Sequence, residues 1–269
     1  MLKRLQTLLI TLALCVGAAW AGDLEDADAA LVRKDYVTAL IKYKQAAAQG
    51  NATAQYNLGV MYNEGLGVKQ DYAEAARWYK LVAAQGDAQA PFNLGYMYHT
   101  GQGVVRDYAG AMRWYKLAAA QGDAQAQFRL GSMYFRGRGV VQDYVEARRW
   151  YKLAAEKNDS SAQLQLGDMY NEGLGVKQDY AEAVHWYKLA AAQGEVAAQI
   201  SLGANYANGQ GLVQDNIRAY MWFYLVAVKG YSIGKQNRDL VAKMMTPQQI
   251  AEAQKLAREC QARNFKNCD

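Results

Sequence analysis

The amino-acid sequence predicts an all-α fold, an α/α superhelical solenoid of helix-turn-helix repeats with a period of 36 residues. Three observations lead to this prediction. One residue pattern recurs at a constant spacing, apolar residues within each copy follow the helical period, and the 269 residues include only 2 Pro while 52% are hydrophobic. This composition excludes a disordered or collagen-like chain.

Residues 1–21 have the features of a secretory signal peptide. Lys3 and Arg4 precede an apolar run over residues 8–18, which is followed by the small-residue site at Ala19 and Ala21. We therefore expect cleavage after Ala21 and a periplasmic or secreted protein. A retained anchor is the alternative, although the run is shorter than the roughly 20 apolar residues that span a bilayer. Lipidation at Cys15 is less favoured, because the residue before that cysteine is not small.

Residues 22–53 form a predicted N-terminal capping half-repeat. A first helix is expected from Asp23 to Arg33, and Asp35 and Tyr36 open a second helix without an intervening glycine loop. The acidic start of this segment suits a solvated end of a stack of repeats.

Residues 54–233 contain five predicted repeats. Each copy begins with alanine, continues with Leu-Gly four residues later, and then has a tyrosine; the alanines are Ala54, Ala90, Ala126, Ala162 and Ala198. A tryptophan marks the second half of each copy: Trp78, Trp114, Trp150, Trp186 and Trp222. Segments 63–75 and 171–183 are identical, which indicates internal duplication.

Each copy is predicted to contain two helices. The first runs from about Ala52 to Asn63, and the second follows the N-cap Asp71, with Glu74 placed to complete a capping box. Aspartate recurs at the N-cap position in six copies: Asp35, Asp71, Asp107, Asp143, Asp179 and Asp215. Residues expected at the C-terminal ends of the second helices are Gly50, Gly86, Gly122, Asn158, Gly194 and Gly230.

Gly59 and its four copies lie inside the predicted first helices. Glycine in a helix interior costs about 1 kcal/mol relative to alanine, so its repeated use predicts close approach of another helix.

Residues 234–269 are predicted to form a C-terminal capping helix and tail. Thr246, Pro247 and Gln249 make an N-terminal capping sequence, and the helix should extend to about Arg263. Cys260 and Cys268 are the two cysteines left after signal cleavage, and in an oxidising compartment we expect a disulfide between them.

The repeated unit combines Ala-x3-Leu-Gly-x2-Tyr with a Gly-x-Gly loop and a Trp-Tyr pair. This unit closely resembles the Sel-one-like repeat family, whose members are relatives of the tetratricopeptide repeats. The resemblance covers residues 35–233. It implies an α/α solenoid that acts as an adaptor, often exported and involved in signalling or envelope assembly. A cysteine-rich branch of this family is associated with penicillin-like compounds, but its repeat cysteines are missing here, so that activity is not expected.

The sequence offers little that would support catalysis, and we predict neither an enzyme nor a cofactor. His99 and His185 lack a second ligand at metal-binding spacing, and the Gly65-x-Gly67 loop lacks the third glycine of a dinucleotide-binding motif. The carboxylates of Asp71 and Glu74 are explained by helix capping.

The Trp-Tyr pairs could stack on sugars or bases, but a fixed aromatic position in every copy favours packing between repeats. On that interpretation, Trp150→Ala should cost about 3–5 kcal/mol of stability.

Candidate binding residues lie where the copies differ, at three positions on one side of the first helix. We expect this side to line the concave groove of the solenoid and to bind a partner, although neutral drift of an exposed surface is the alternative. The candidates, with a neighbouring arginine, are Asn57, Asn93, Tyr96, His99, Arg129, Ser132, Phe135, Arg136, Gln165 and Asp168.

The third repeat is the most basic, which predicts docking of an acidic segment across the second to fourth repeats, centred on Tyr96, His99, Arg129 and Phe135. Cleavage of the signal leaves 28 basic and 25 acidic residues, a net charge of +3 that gives no support for nucleic-acid binding. We predict a monomeric protein-interaction scaffold; an envelope enzyme or a glycan-binding protein is the alternative.

Overall fold

The computed structural model describes residues 22–265 and residue 268, so the predicted signal peptide and its cleavage site at Ala21 lie outside the described residues. The described residues form fourteen α-helices and no β-strand. The helices are α1 (22–32), α2 (Tyr36–Ala48), α3 (Ala52–Glu64), α4 (Tyr72–Ala84), α5 (Ala90–Thr100), α6 (Tyr108–Ala120), α7 (Ala124–Arg136), α8 (Tyr144–Glu156), α9 (Ser160–Glu172), α10 (Tyr180–Ala192), α11 (Val196–Asn208), α12 (Asn216–Val228), α13 (Ser232–Ala242) and α14 (Pro247–Ala262). The predicted all-α class of repeated helix pairs is confirmed.

The chain divides into two compact units between Asp123 and Ala124, and in the first unit helices α1–α6 stack as successive pairs. One buried cluster joins α1, α2 and α3, and Trp78 of α4 packs against it. A second cluster joins α4 and α5, with Trp114 of α6 against it. Each tryptophan therefore contacts the cluster of the helices that precede it, as the packing interpretation predicted.

In the second unit the pairs α7–α8, α9–α10 and α11–α12 are followed by α13 and α14. Trp186 of α10 belongs to the cluster formed by α8 and α9. The largest cluster runs from α10 to α14 and includes Trp222, Val241 and Cys260. No helix in the described part of the chain is both long enough and apolar enough to cross a membrane.

The glycines inside the first helices of the pairs lie against an aromatic ring of the second helix. A Cβ atom placed on Gly131 would lie 2.6 Å from Cδ1 of Tyr151, and one placed on Gly203 would lie 2.6 Å from Cε1 of Phe223. The predicted close approach is confirmed, and the partner is the buried tyrosine or phenylalanine of the same repeat.

Buried glutamines connect successive repeats through hydrogen bonds. Gln163 of α9 donates to the carbonyl oxygen of Ala155 at 3.2 Å and accepts from Gln193, which follows α10, at 2.8 Å. In the first unit Gln55 and Gln85 form the same arrangement. The side chain thereby adds a second donor to a carbonyl group of the last helical turn, which also accepts from a backbone amide just beyond the helix.

The aspartate caps are confirmed in five of six helices. The Asp143 carboxylate accepts from the backbone amides of Val145 and Glu146, whereas the Asp107 side chain makes no such bond and instead lies 3.6 Å from Arg113. The prediction of a capping box at Glu74 is wrong, because the Glu74 carboxylate binds the Arg77 guanidinium at 2.6 Å. An oppositely charged guanidinium attracts a carboxylate more strongly than a neutral backbone amide does.

The C-terminal helix α14 has the predicted capping box, in which Thr246 and Gln249 bond to each other's backbone amides. Helix α13, which precedes it, was not predicted. Its glycine Gly234 lies against Val226, and a Cβ atom there would be 2.6 Å from Val226 Cγ1. Sγ atoms of Cys260 and Cys268 are bonded at 2.04 Å, which ties the end of the chain to α14.

Candidate functional site

The candidate residues lie on the first helices of the pairs, outside the buried clusters. All ten side chains are at least partly exposed, with Tyr96 exposed at 40%. Helix packing explains this placement, because the neighbouring positions on the same helices, such as Leu94, Leu130 and Leu166, face the core and are fully buried.

Three of the four candidates in the first unit contact tyrosine side chains, and the fourth, Tyr96, is exposed. Asn93 of α5 donates from Nδ2 to the Tyr56 hydroxyl of α3 at 3.2 Å, so it connects adjacent first helices. The His99 ring packs edge-on against Tyr108, with a centroid separation of 5.2 Å. Asn57 hydrogen bonds with Tyr43.

In the second unit two candidates accept hydrogen bonds from buried phenols. The Tyr151 hydroxyl of α8 donates to Oγ of Ser132 at 3.1 Å, and the Tyr187 hydroxyl of α10 donates to Oδ1 of Asp168 at 2.9 Å. The fifth copy lacks both groups, since Ala204 and Phe223 occupy the corresponding positions. In the third and fourth repeats, the residue at this position is therefore explained by a hydrogen bond inside the repeat.

Burial sets the protonation behaviour of the Asp168 carboxyl. Its pKa is raised by desolvation, and the hydrogen bond from Tyr187 offsets this only in part. The pKa of the Tyr187 hydroxyl is also raised, chiefly by burial and further by the negative charge of Asp168. A carboxyl group with a raised pKa on a part-exposed surface carries a proton at higher pH than an ordinary aspartate does.

Phe135 and the arginines of α7 complete the surface on the second unit. The Phe135 ring packs edge-on against Tyr144 at 5.1 Å between centroids and lies 6.5 Å from the ring of Tyr151. Burial has the largest effect on the pKa of the Tyr151 hydroxyl and raises it. The positive charge of Arg136 lowers this pKa, and the negative charge of Asp168 raises it. The charges of Arg136 and Asp168 are therefore both close enough to this hydroxyl to act on it.

The structure brings together six of the candidates in one unit. We call this group the α7–α9 face; it consists of Arg129, Ser132, Phe135, Arg136, Gln165 and Asp168, and Gln165 donates to Asp168 at 3.4 Å. The other four candidates belong to the first unit and lie on α3 and α5.

Sequence reasoning missed the buried phenols that support this face. The sequence holds only a partial signal: Phe223 lacks a hydroxyl where the acceptor position carries Ala204, but Tyr79 keeps its hydroxyl opposite Val60, which cannot accept a hydrogen bond. Among the described residues, no group of three His, Cys, Asp or Glu side chains is placed to hold a metal ion.

Comparison with known proteins identifies the repeats. A family model described as Sel1 repeat matches six consecutive segments: residues 27–51, 52–87, 88–123, 124–159, 160–195 and 196–227. The six matches include the N-terminal segment that we predicted to be a half-repeat.

Two solved structures are similar to this chain. A Sel1 repeat protein from Oxalobacter formigenes is 36% identical over 77% of this chain and 86% of its own, with a TM-score of 0.73. A protective antigen of uropathogenic Escherichia coli with an SLR fold is 25% identical over 87% of this chain and 81% of its own, with a TM-score of 0.43. No curated protein matches the sequence.

Proposed function

The chain belongs to the Sel1 repeat family, and from this premise we propose that it is an exported adaptor that binds a partner polypeptide through the exposed sides of its first helices. Proteins built from Sel1 repeats are generally protein-interaction scaffolds, and the fold is typically not catalytic. The proposed role is in envelope signalling or assembly, and the adaptor works as a monomer.

One observation carries the proposal. The side chains that pack the repeats together are nearly the same in each copy, whereas the exposed first-helix positions differ from copy to copy. A uniform frame with a varied surface is what a repeat protein needs to recognise one particular polypeptide.

We assign the main contact to the α7–α9 face. Arginine and aromatic side chains are enriched among residues that dominate the energy of protein interfaces, and Arg129, Arg136 and Phe135 supply both types on one helix. The two arginines favour an acidic segment in the partner, which would also be steered toward the surface by charge. Tyr96 and His99 offer a further contact on the first unit.

Export is supported by the sequence of residues 1–21. The basic start, the apolar run and the small residues before Ala21 are those of a cleaved signal peptide. Processing is checked by mass spectrometry of the protein recovered from the periplasm and the medium, where the N-terminus should be Gly22.

In-cell crosslinking of the envelope fraction, followed by mass spectrometry, should identify the partner. The variant for testing the contact is the double change Arg129→Gln and Phe135→Asn, because Gln165 and Asn171 occupy these positions in the next copy and the fold accepts them. We expect the partner to be lost from the crosslinked fraction, since the replaced side chains supply its charge and aromatic contacts.

The matched control changes Arg113 to Gln, an exposed arginine on a second helix. This variant should retain the partner. Recovery of the same partner with the double variant, at an unchanged melting temperature, would reject the α7–α9 face as the binding surface.

A further inference from the structure

A second candidate site lies along α8, the second helix of its pair. It is a pocket of about 420 Å³. Seven side chains of one helix line it: Val145, Glu146, Arg148, Arg149, Lys152, Leu153 and Glu156. They follow the i, i+3, i+4 spacing of a single helical stripe, and the twelve residues that they span measure roughly 17 Å along the helix axis.

Arg148 departs from the pattern of the repeats. The corresponding residues of the other copies are buried, with at most 8% of their surface exposed: Leu40, Ala76, Met112, Val184 and Tyr220. In the third repeat the same position carries a guanidinium group. Its Nε atom is buried and has no hydrogen-bond partner in the described part of the chain. A buried donor without a partner is costly, so an arginine here calls for a functional explanation.

The other charges of the pocket are paired with each other. The Arg149 guanidinium lies 3.5 Å from the Glu146 carboxylate, and the Lys152 ammonium group lies 3.9 Å from the Glu156 carboxylate. Arg148 makes no ion pair with any described residue. The pocket therefore has one uncompensated positive charge, which matches a ligand with one negative charge.

The net charge of the pocket also favours one kind of anion. With both glutamates paired, the pocket has a net charge of one; a phosphate group carries close to two negative charges at neutral pH, whereas a carboxylate carries one and balances Arg148 alone. A planar carboxylate also matches the paired donors of a guanidinium. Val145, which is 56% exposed, and Leu153 add apolar surface beside the charge.

We propose that the α8 pocket binds an acidic peptide segment of a partner protein, with its carboxylate on the Arg148 guanidinium and an adjacent apolar side chain on Val145 and Leu153. The elongated stripe fits an extended segment of several residues. This site lies on a second helix of a pair and is distinct from the first-helix surface proposed above, so the two sites are tested separately.

The test selects peptides from a random display library on the full mature chain. The selection is repeated on Arg148→Met, which installs the residue found at Met112 and thus a side chain that this position accepts. The wild-type chain should enrich peptides with Asp or Glu beside an apolar residue. In fluorescence anisotropy titrations the best of these peptides should bind Arg148→Met at least about ten-fold more weakly, the loss expected for an interface residue that dominates binding.

Three controls make the result specific. Arg113→Met removes one exposed arginine in the other unit and should bind the peptide as the wild type does. The double variant Arg129→Gln and Phe135→Asn should also bind it unchanged, which separates this site from the α7–α9 face. Thermal unfolding should show Arg148→Met to be at least as stable as the wild type, because methionine needs no hydrogen-bond partner.

Two outcomes would overturn the proposal. One is equal affinity of the selected peptide for the wild type and for Arg148→Met. This includes the case in which only the double variant of Arg129 and Phe135 loses the peptide. The other is displacement of the peptide by inorganic phosphate but not by acetate at the same ionic strength, which would assign the pocket to phosphate groups.

Discussion

At the scale of single residues, the contact between a helical glycine and a buried aromatic ring defines each repeat. The ring occupies the space in which any other residue would have its Cβ atom, so the two helices approach closely at this point. Tyr115, Tyr151 and Tyr187 are at most 2% exposed, which leaves the ring no solvent-filled space into which it could move.

Gly131→Ala tests this contact. The new Cβ atom would lie 2.6 Å from the Tyr151 ring, so we expect a loss of about 1–3 kcal/mol in the free energy of unfolding by urea. Gly110→Ala is the control. There the new atom meets mainly the Asp107 carboxylate, a mobile group, and the better helix former should gain up to about 1 kcal/mol. Equal effects of the two changes would contradict the packing argument.

Asp168 predicts a pH dependence of stability. Because its pKa in the folded state is raised above the ordinary value of 3.8, the folded protein holds this proton more tightly than the unfolded chain does. The contribution of Asp168 to stability is therefore greatest below pH 4 and declines as the pH rises through the folded-state pKa.

Asp168→Asn should consequently stabilise the protein more at pH 7 than at pH 4, since asparagine keeps an acceptor for the Tyr187 hydroxyl and carries no charge. Urea unfolding at the two pH values measures the difference. The control is Ser132→Ala, which removes a neutral acceptor of Tyr151 and whose effect on stability should be the same at both pH values. A pH-independent effect of Asp168→Asn would disprove the assignment.

At the scale of helices, the aspartate at the N-cap position makes different contacts in different copies. In α8 the Asp143 carboxylate accepts from two amides of the first turn, whereas in α6 the Asp107 carboxylate turns toward Arg113. The copy with the unused cap has glycine, Gly110, at the third helical position, where three other copies have glutamate and the remaining two have Thr38 and Arg218.

Replacing each aspartate with alanine separates the two cases. Asp143→Ala should cost about 1 kcal/mol, the usual value of an N-cap, while Asp107→Ala should cost distinctly less, because no amide of α6 loses its acceptor. Thermal unfolding of both variants and of the wild type makes the comparison. A larger loss at Asp107 than at Asp143 would show that the carboxylate of Asp107 caps α6 in solution.

The tryptophans also differ among helices in their burial. Trp222 is 2% exposed and its replacement by alanine should cost about 3–5 kcal/mol, whereas Trp150 is only partly buried, so the figure expected from the sequence is an upper bound there. The free energies of unfolding of Trp222→Ala and Trp150→Ala should rank in that order. The opposite order would exclude burial as the source of the difference.

At the scale of the molecule, each repeat packs mainly against its neighbours, so local damage should stay local. The end of the second unit is the clearest case, because α14 packs on α12 and the bond from Cys260 to Cys268 holds the chain end against α14.

Cys268→Ser should remove about 2–3 kcal/mol of stability by releasing that short loop. Hydrogen exchange should become faster in α12–α14 and stay unchanged in α1–α6, which belong to the first unit. Two free thiols in the oxidised wild-type protein would contradict the disulfide, and faster exchange throughout the first unit would contradict local packing.

The sequence by itself determined the repeat, its period, the two helices of each copy and most of their caps, because these depend on residues close together in the chain. Tertiary structure alone decided which contacts the side chains make across helices: the phenols that bond to Ser132 and Asp168, the glutamines between repeats, the diversion of Glu74 to Arg77, and the pocket around Arg148. The physical reason is that a helical period fixes the face of a side chain, but its partners depend on how neighbouring helices are set against that face.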